Sequence, residues 1–414
     1  MYCIIPIFKD PFLHPLHKDN GLSALWCQVE SAEEPFFIIE HHPDSDKFME
    51  DYKWLDEEWI VTPDKKILNH FYEFKDVWDL NFVHWLETGK PFENNVRNNA
   101  IDFLSNKFYN VKKLNEIIPL SKHNEYCSDV YKGMNIPHTG ENNDYMNDVI
   151  KAFTSIEKNG IKVSDDVCDI FDIRVKKHIS NGKLYSQYNL WTTTGRPSNS
   201  FGSVNFAALP PEKRKAFVPE NNSLIEFDFD AYHLRLIADL VDYDFGKDSV
   251  HKHLAEHYEC SYEESKQRTF KLLYGGIDKE TREKVPFFNK VHNYINKKWS
   301  EINTHNCVYT DIYRRKLLFK NYKDMNRNKV FNYLIQAYET ESNIKKILLI
   351  QDYLLGKKTK LVLYGYDSFL FDFANEDGVE TLRDIKSILE ENKHYTKSKM
   401  GLNYGEMEDI TKRL

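Results

Sequence analysis

The stretch 361–373, LVLYGYDSFLFDF, sets one acid, Asp367, between two short apolar and aromatic runs that read as strands. A carboxylate between two half-buried strands costs desolvation free energy unless something positive sits on it, most simply a bound cation. The other reading is a hairpin turn, because an aspartate side chain hydrogen-bonds nearby backbone in turns. Which holds depends on whether the rest of the chain brings matching chemistry.

A second strand, SLIEFDFD (223–230), carries Asp228 at its end, directly before AYHLRLIADLV, whose apolar spacing is helical. Two such acids could share metal ions: two-metal phosphoryl transfer needs carboxylates that bring cations together, one activating the attacking oxygen and one neutralising the leaving group. Asp228 and Asp367 lie 139 positions apart, so their meeting is a claim about the fold, and two unrelated boundary acids are the alternative. A third element is SYEESKQRTFKLLYGGIDKE (261–280), where Lys266, Phe270 and Tyr274 recur every fourth residue. On a helix they line one face over about 12 Å. A lysine there neutralises a triphosphate, an aromatic ring packs on sugar or base, and the tyrosine before Gly275-Gly276 sits where helix gives way to turn. The same stripe also serves as plain core.

The 414 residues, 41% hydrophobic and 14% aromatic, suffice for two or three cores. The cysteines at 3, 27, 127, 168, 260 and 307 form no Cys-x-x-Cys pair and no metal-ligand spacing, so free thiols in a reducing compartment are expected. No run approaches the roughly 20 apolar residues that span a bilayer, and the start lacks a basic segment before an apolar one; a cytoplasmic protein with no membrane partner is expected. Residues 1–150 hold 26 acids against 14 bases, a net −12, leaving 38 acids and 42 bases, a net +4, for the remainder. Only the second part suits a polyanion. Within it, YRRKLLFKNYKDMNRNK (313–329) interleaves Arg314, Arg315 and five further cations with aromatic rings, a composition that suits phosphates and bases or a solvated helix face.

The first 130 residues mix short apolar runs such as PFFIIEHH with helical stretches, NNAIDFLSNKFYNVKKLNEIIPLSKHNEYCSDVY among them, and read as an α/β domain. After the polar linker MNIPHTGENND, the apolar residues Met146, Val149, Ile150, Phe153 and Ile156 keep helical spacing until Gly160 ends the helix. From about 183 the chain reads as a mixed α+β domain.

Lys-x3-Phe-x3-Tyr-Gly, preceded by EFDFDAYHLRLIADL and followed by LYGYDSFLFDF, resembles motifs B, A and C of family A (Pol I-like) DNA polymerases in their order. Further resemblances are TTTGRPSNSFGSVNFAALP, EKRKAFVPE, DSVHKHLAEHY, NYLIQAYETE, IEKNGIKV and MGLNYGEME, together covering about 145–414. The resemblance implies a right-hand polymerase of phage type, with an N-terminal exonuclease-like domain (1–140), a reduced thumb or connector (141–185), palm (186–245 and 326–414) and fingers (246–325). It makes Asp228 and Asp367 the metal-binding aspartates, with the Phe229 carbonyl as a further ligand and two Mg²⁺ ions, or Mn²⁺, as cofactors. Lys266 and His251 would bind the triphosphate of a dNTP, with Phe270, Tyr274 and His233 around its sugar and base. Arg196, Asn205, Arg214, Arg314, Arg315, Asn332 and Gln336 would meet primer–template DNA, Arg196 in the minor groove, where acceptors occur at similar positions in every base pair.

Three departures bear on mechanism. His233 stands where the family has a glutamate that restricts the sugar 2′ position, Tyr262 stands for an arginine, and Tyr366-Asp367-Ser368 replaces His-Asp-Glu. The short interval between 163 and 185 leaves little room for a thumb, which implies low intrinsic processivity and a processivity factor or replisome protein, met through the acidic N-terminal region. That region offers Glu30 and Glu40 but no Asp-x-Glu pair, so proofreading is not expected. Alternatives are a specialised repair polymerase with relaxed sugar choice and a non-catalytic primer–template-binding subunit. The small size and the resemblance to phage-type members suggest a viral source and a bacterial host cytoplasm.

Overall fold

The alternation around Asp367 becomes a hairpin in a sheet whose central strand carries Asp228. The structure, a computed structural model, describes residues 1–10, 13–43, 52–89, 119–133, 143–165, 167, 178–199, 204–305, 307–318 and 325–414. Residues 134–142 of the polar linker, 98–118 of the helical stretch read over 98–131, Cys168, Lys320, Lys323 and most of 164–177 lie outside them. The chain divides into two units: Met1–Trp191 with Asn199–Val204, and Thr192–Ser198 with Asn205–Leu414. The boundaries read from sequence at 140 and 185 fall inside the first unit.

In the first unit, β1 (Tyr2–Phe8), β2 (Leu22–Val29), β3 (Phe36–Ile39), β4 (Ile60–Thr62) and β5 (Val77–Asp79) form a mixed sheet in the order β3-β2-β1-β4-β5. β1 runs antiparallel to β2 and parallel to β4. Its centre is apolar on both faces, with Ile4, Leu25, Trp26 and Cys27 fully buried, as expected of strands covered from two sides. Among the described residues it is accompanied by α1 (Lys65–Phe71), α2 (Leu80–Thr88), α3 (Leu120–Gly133) and α4 (Asn143–Asn159). Asp64 and Asp79 start α1 and α2 by accepting from the Ile67 and Phe82 amides. In α4, Met146, Val149, Ile150, Phe153 and Ile156 are buried as the spacing predicts. It stops at Gly160, whose φ of +61° favours glycine and where a Cβ would stand 2.9 Å from the Tyr185 ring.

The second unit is built on an antiparallel sheet of β6 (Ser223–Phe229), β7 (Lys360–Tyr364), β8 (Ser368–Phe373), β9 (Thr396–Asn403) and β10 (Glu406–Asp409), in the order β7-β8-β6-β9-β10. Among the described residues its helices of nine residues or more are α5 (Tyr232–Leu240), α6 (Val250–Tyr258), α7 (Tyr262–Gly275), α8 (Pro286–His305), α9 (Arg327–Tyr353) and α10 (Val379–Leu389). Ser261 and Glu264 close a capping box at the start of α7. Leu234, Ile237, Val250, Leu254, Leu272, Leu273, Phe287, Phe288 and Phe331 share one core, which fixes α5 to α9 against one another. Among the described residues no helix is long and apolar enough to cross a membrane, and Cys3, Cys27, Cys127, Cys260 and Cys307 are free thiols.

Candidate active site

β6 is the middle strand of its sheet and is buried at every position except Asp228. Asp228 lies opposite Ser368 in the register of β6 on β8, and the Phe229 amide donates to the Asp367 carbonyl at 2.9 Å. The two acids, 139 positions apart, are therefore backbone neighbours. The turn that presents Asp367 is tight. The Gly365 amide donates to the Ser368 carbonyl at 2.8 Å, a Cβ on Gly365 would stand 2.5 Å from Ser368 Oγ, and Tyr366 holds φ at +73°. From α9, Asn343 Nδ2 donates to the Tyr366 carbonyl at 2.8 Å and to the Tyr364 hydroxyl at 3.0 Å, bracing that turn.

Both carboxylates face a recess of about 170 Å³, shared with Arg214, Glu226, Ser368 and Lys399. Glu226 is buried, accepts from the Tyr404 hydroxyl at 3.1 Å and pairs with Lys399 at 2.9 Å. Lys399 stands farther from Asp228, at 3.8 Å. Burial, then the charges of Asp367 and Glu226, push the Asp228 carboxyl up to about 6 against the pull of Lys399 and Lys397. Burial also raises Asp367, with Glu339 adding to it and Arg196 and His233 opposing. Raised pKa values on adjacent acids mark carboxylates whose burial costs more than the protein's own cations return. That donor set, hard oxygens around a recess large enough for ions with their water, fits divalent cations such as Mg²⁺.

The raised pKa has a stability consequence. A carboxyl whose folded pKa lies above its unfolded value holds extra protons in the fold, so metal-free stability falls as pH rises from about 4 to about 6. Discounted for the 40% exposure of the Asp228 side chain, the loss at neutral pH is about 1 kcal/mol. Asp228→Asn should therefore raise the metal-free Tm by about 2 °C at pH 7.5 and leave it unchanged at pH 4. A lower Tm at pH 7.5, followed by circular dichroism, would contradict this electrostatic account.

Beside the acids lies a second polar cluster. Glu339, fully buried on α9, pairs with Arg196 Nε at 2.7 Å and with His233 Nε2 at 3.1 Å. His233 Nδ1 stands 3.0 Å from the Tyr274 hydroxyl, and the Arg196 guanidinium lies 3.9 Å from the Tyr366 ring centre. Thr194, two residues before Arg196, donates to Gln336 Oε1 at 3.3 Å, and Gln336 donates in turn to Asn332 at 3.3 Å. Arg196, His233, Tyr274, Asn332 and Gln336 are thus gathered around α9.

Along α7, Phe270 and Tyr274 stack at 6.1 Å and remain 46% and 40% exposed, an unusual state for large rings on a packed helix. Lys266 is exposed on the same face. His251, buried on α6, lies 6.3 Å from the Phe270 ring, and burial with Lys266 nearby lowers its pKa. Arg214 reaches the acidic recess, donating from Nε to the Leu209 carbonyl at 2.9 Å. Asn205 is exposed just ahead of Phe206, which lines that recess. Arg314 is exposed, with its guanidinium 5.5 Å from the Tyr309 ring centre.

Arg315 corrects the sequence reading. It is 2% exposed, its Nε 3.3 Å from buried Glu341 and its Nη2 donating to the Thr194 carbonyl at 2.6 Å, so this cation braces the loop before Arg196 and does not face a ligand. A buried guanidinium requires such partners, and a basic run cannot reveal which of its members turns inward. Sequence reasoning also missed Glu226, Lys399 and Glu339. Glu226 had a signal, two residues before Asp228 and hence on the same strand face; Glu339 had none.

No family model matches this sequence, and no curated protein matches it. By structure, the chain is similar to the polymerase domain of Pol1 from M. smegmatis, solved in complex with DNA primer–template and dNTP. The match has a TM-score of 0.66 at 12% sequence identity and covers 98% of this chain and 95% of that one. The fold is that of a polymerase domain.

Proposed function

We propose that this chain is a template-directed DNA polymerase of the Pol I-like, phage type. The observation that carries the reading is the backbone adjacency of Asp228 and Asp367 at a shared recess. The primer 3′-OH attacks the α-phosphate of a dNTP; a new P–O bond forms, the 3′-OH proton passes to water, the bond from the α-phosphorus to the bridging oxygen breaks, and pyrophosphate leaves with the electron pair. Two Mg²⁺ ions, or Mn²⁺, held by Asp228, Asp367 and the Phe229 carbonyl, would activate the 3′-OH and neutralise the leaving group. Lys266 and His251 bind the triphosphate, Phe270 and Tyr274 pack on sugar and base, and Arg196 tests the minor groove of the primer terminus. Asn205, Arg214, Arg314, Asn332 and Gln336 contact primer–template.

In this reading the second unit supplies palm and fingers of a right-hand arrangement, residues 141–185 are a reduced thumb, and 1–140 an exonuclease-like domain without nuclease activity. Processivity is low. The −12 charge of residues 1–150 favours a processivity factor or replisome protein as its partner over DNA. Single-nucleotide addition tests the function: with a labelled primer–template and one dNTP at a time, only the base complementary to the template should be added. Addition regardless of template would point to a terminal transferase instead.

His233 bears on sugar choice, because it occupies the Tyr274 hydroxyl where a carboxylate is expected from the resemblance. His233→Glu should raise the preference for dNTP over rNTP about tenfold, a change of about 1.4 kcal/mol in relative barrier, measured as the ratio of kcat/KM values. An unchanged ratio would remove His233 from sugar selection.

A non-catalytic primer–template-binding subunit is the second reading, favoured by Ser368 beside Asp367 and by Lys399 at 3.8 Å from Asp228. Tight primer–template binding with no nucleotide addition by folded protein would select it.

A further inference from the structure

We infer that Glu226 and Asp230 are positioning residues for Asp228: they draw Lys399 and Lys397 away from its carboxylate and so keep that carboxylate open to a cation. The inference rests on the proposed function only in taking Asp228 as a cation ligand.

The register of β6 on β9 decides which charges can meet. Lys399 lies directly across from Glu226, and Lys397 directly across from Asp228. Side chains directly opposite on an antiparallel pair share a face and stand closest, while diagonal neighbours stand farther apart. Lys399 takes its near partner: its Nζ is 2.9 Å from Glu226 Oε2 and 3.8 Å from Asp228 Oδ2. Lys397 passes its near partner by. Its Nζ lies 2.8 Å from Asp230 Oδ1, one diagonal step along, although Asp228 is the residue across from it.

Stability alone does not explain that pairing. Asp230 already has the Arg235 guanidinium at 4.0 Å. Asp228 stands among the charges of Asp367 and Glu226, yet its nearest ion pair among the described residues is the 3.8 Å contact with Lys399. A lysine turned onto Asp228 would relieve that repulsion and close the carboxylate to metal. Both outer acids are fixed. Glu226 is buried and its Oε1 accepts from the Tyr404 hydroxyl at 3.1 Å, which leaves Oε2 for Lys399. The Asp230 amide donates to the Tyr395 carbonyl at 2.9 Å and carries the ladder one residue beyond β6. With acids at 226, 228 and 230, the outer two take the lysines and the middle one faces the recess.

The test measures Mn²⁺ binding to the full chain without DNA or nucleotide, from the electron paramagnetic resonance signal of free Mn²⁺. Only the binding that Asp228→Asn removes is counted. Glu226→Gln and Asp230→Asn should each weaken it about tenfold, because the released lysine moves onto Asp228. With Lys399→Met already in place, Glu226→Gln should weaken it only about twofold, and Asp230→Asn likewise beside Lys397→Met. An acid that acts only through its own charge or through the fold gives the same factor with and without its lysine, and that result in either cycle overturns the inference. Thermal unfolding shows whether each variant is folded. If Lys399→Met is not, the Asp230 cycle decides alone, since Lys397 is 57% exposed. Absence of any Asp228-dependent Mn²⁺ binding also overturns the inference. Binding that follows both cycles in a chain that adds no nucleotide upholds it and overturns the polymerase reading instead.

Discussion

Replacing either Asp228 or Asp367 by asparagine is expected to cut primer extension roughly a thousandfold or more, a barrier increase of about 4 kcal/mol. Asparagine keeps the shape of the side chain and removes the charge that would hold the cations. The fold should survive, because neither carboxylate supports the sheet: the adjacency of β6 and the turn rests on backbone hydrogen bonds and on Asn343. Asp228→Asn should even be more stable without metal, since it removes the cost of burying a charge and then the repulsion from Asp367 and Glu226. Lost activity with a retained or raised Tm is the expected signature. Steady-state extension read with thermal unfolding on the same preparations checks it; activity within tenfold of the parent would mean that the pair does not carry the chemistry.

Glu339→Ala is expected to be costly in a different way. It strips the carboxylate from Arg196 and His233 together, and truncating one side of a buried charged network typically costs about 3–5 kcal/mol. Arg196 and His233 keep 29% and 24% exposure, so both can recover some water, which places the expected loss near about 3 kcal/mol. Nucleotide addition should fall about tenfold to a hundredfold, because Tyr274 and the Arg196 guanidinium lose their fixed positions. The effects of Glu339→Ala and His233→Ala should add to less than their sum, since both break one chain of contacts. Full additivity in a double-mutant cycle would show that the two residues act independently.

Much of the fold was legible because its signals are local. Alternation around Asp367, the apolar run ending at Asp228, helical spacing in α4 and the Gly160 stop each need only a few neighbouring residues, and each element formed. The stripe of Lys266, Phe270 and Tyr274 was equally visible, and its rings stay exposed where a core stripe would bury them. Charged residues that turn inward were illegible. Glu339 and Glu341 look like any surface glutamates on a long helix, and Arg315 like its neighbour Arg314, until distant segments supply their partners. The same holds for His70 and Glu157, which pair at 3.2 Å although they lie far apart in the sequence. Pairing across the fold decides such residues, and one strand or helix of sequence does not contain it.

The central claim is that Asp228 and Asp367 serve nucleotidyl transfer, and the most direct measurement is extension of a labelled primer–template by the purified chain alone, with dNTPs and Mg²⁺, beside a reaction in excess chelator. Template-directed products that appear with Mg²⁺ and vanish with chelator are the expected result. Folded protein that binds the primer–template yet adds no nucleotide at any Mg²⁺ or Mn²⁺ concentration would contradict it.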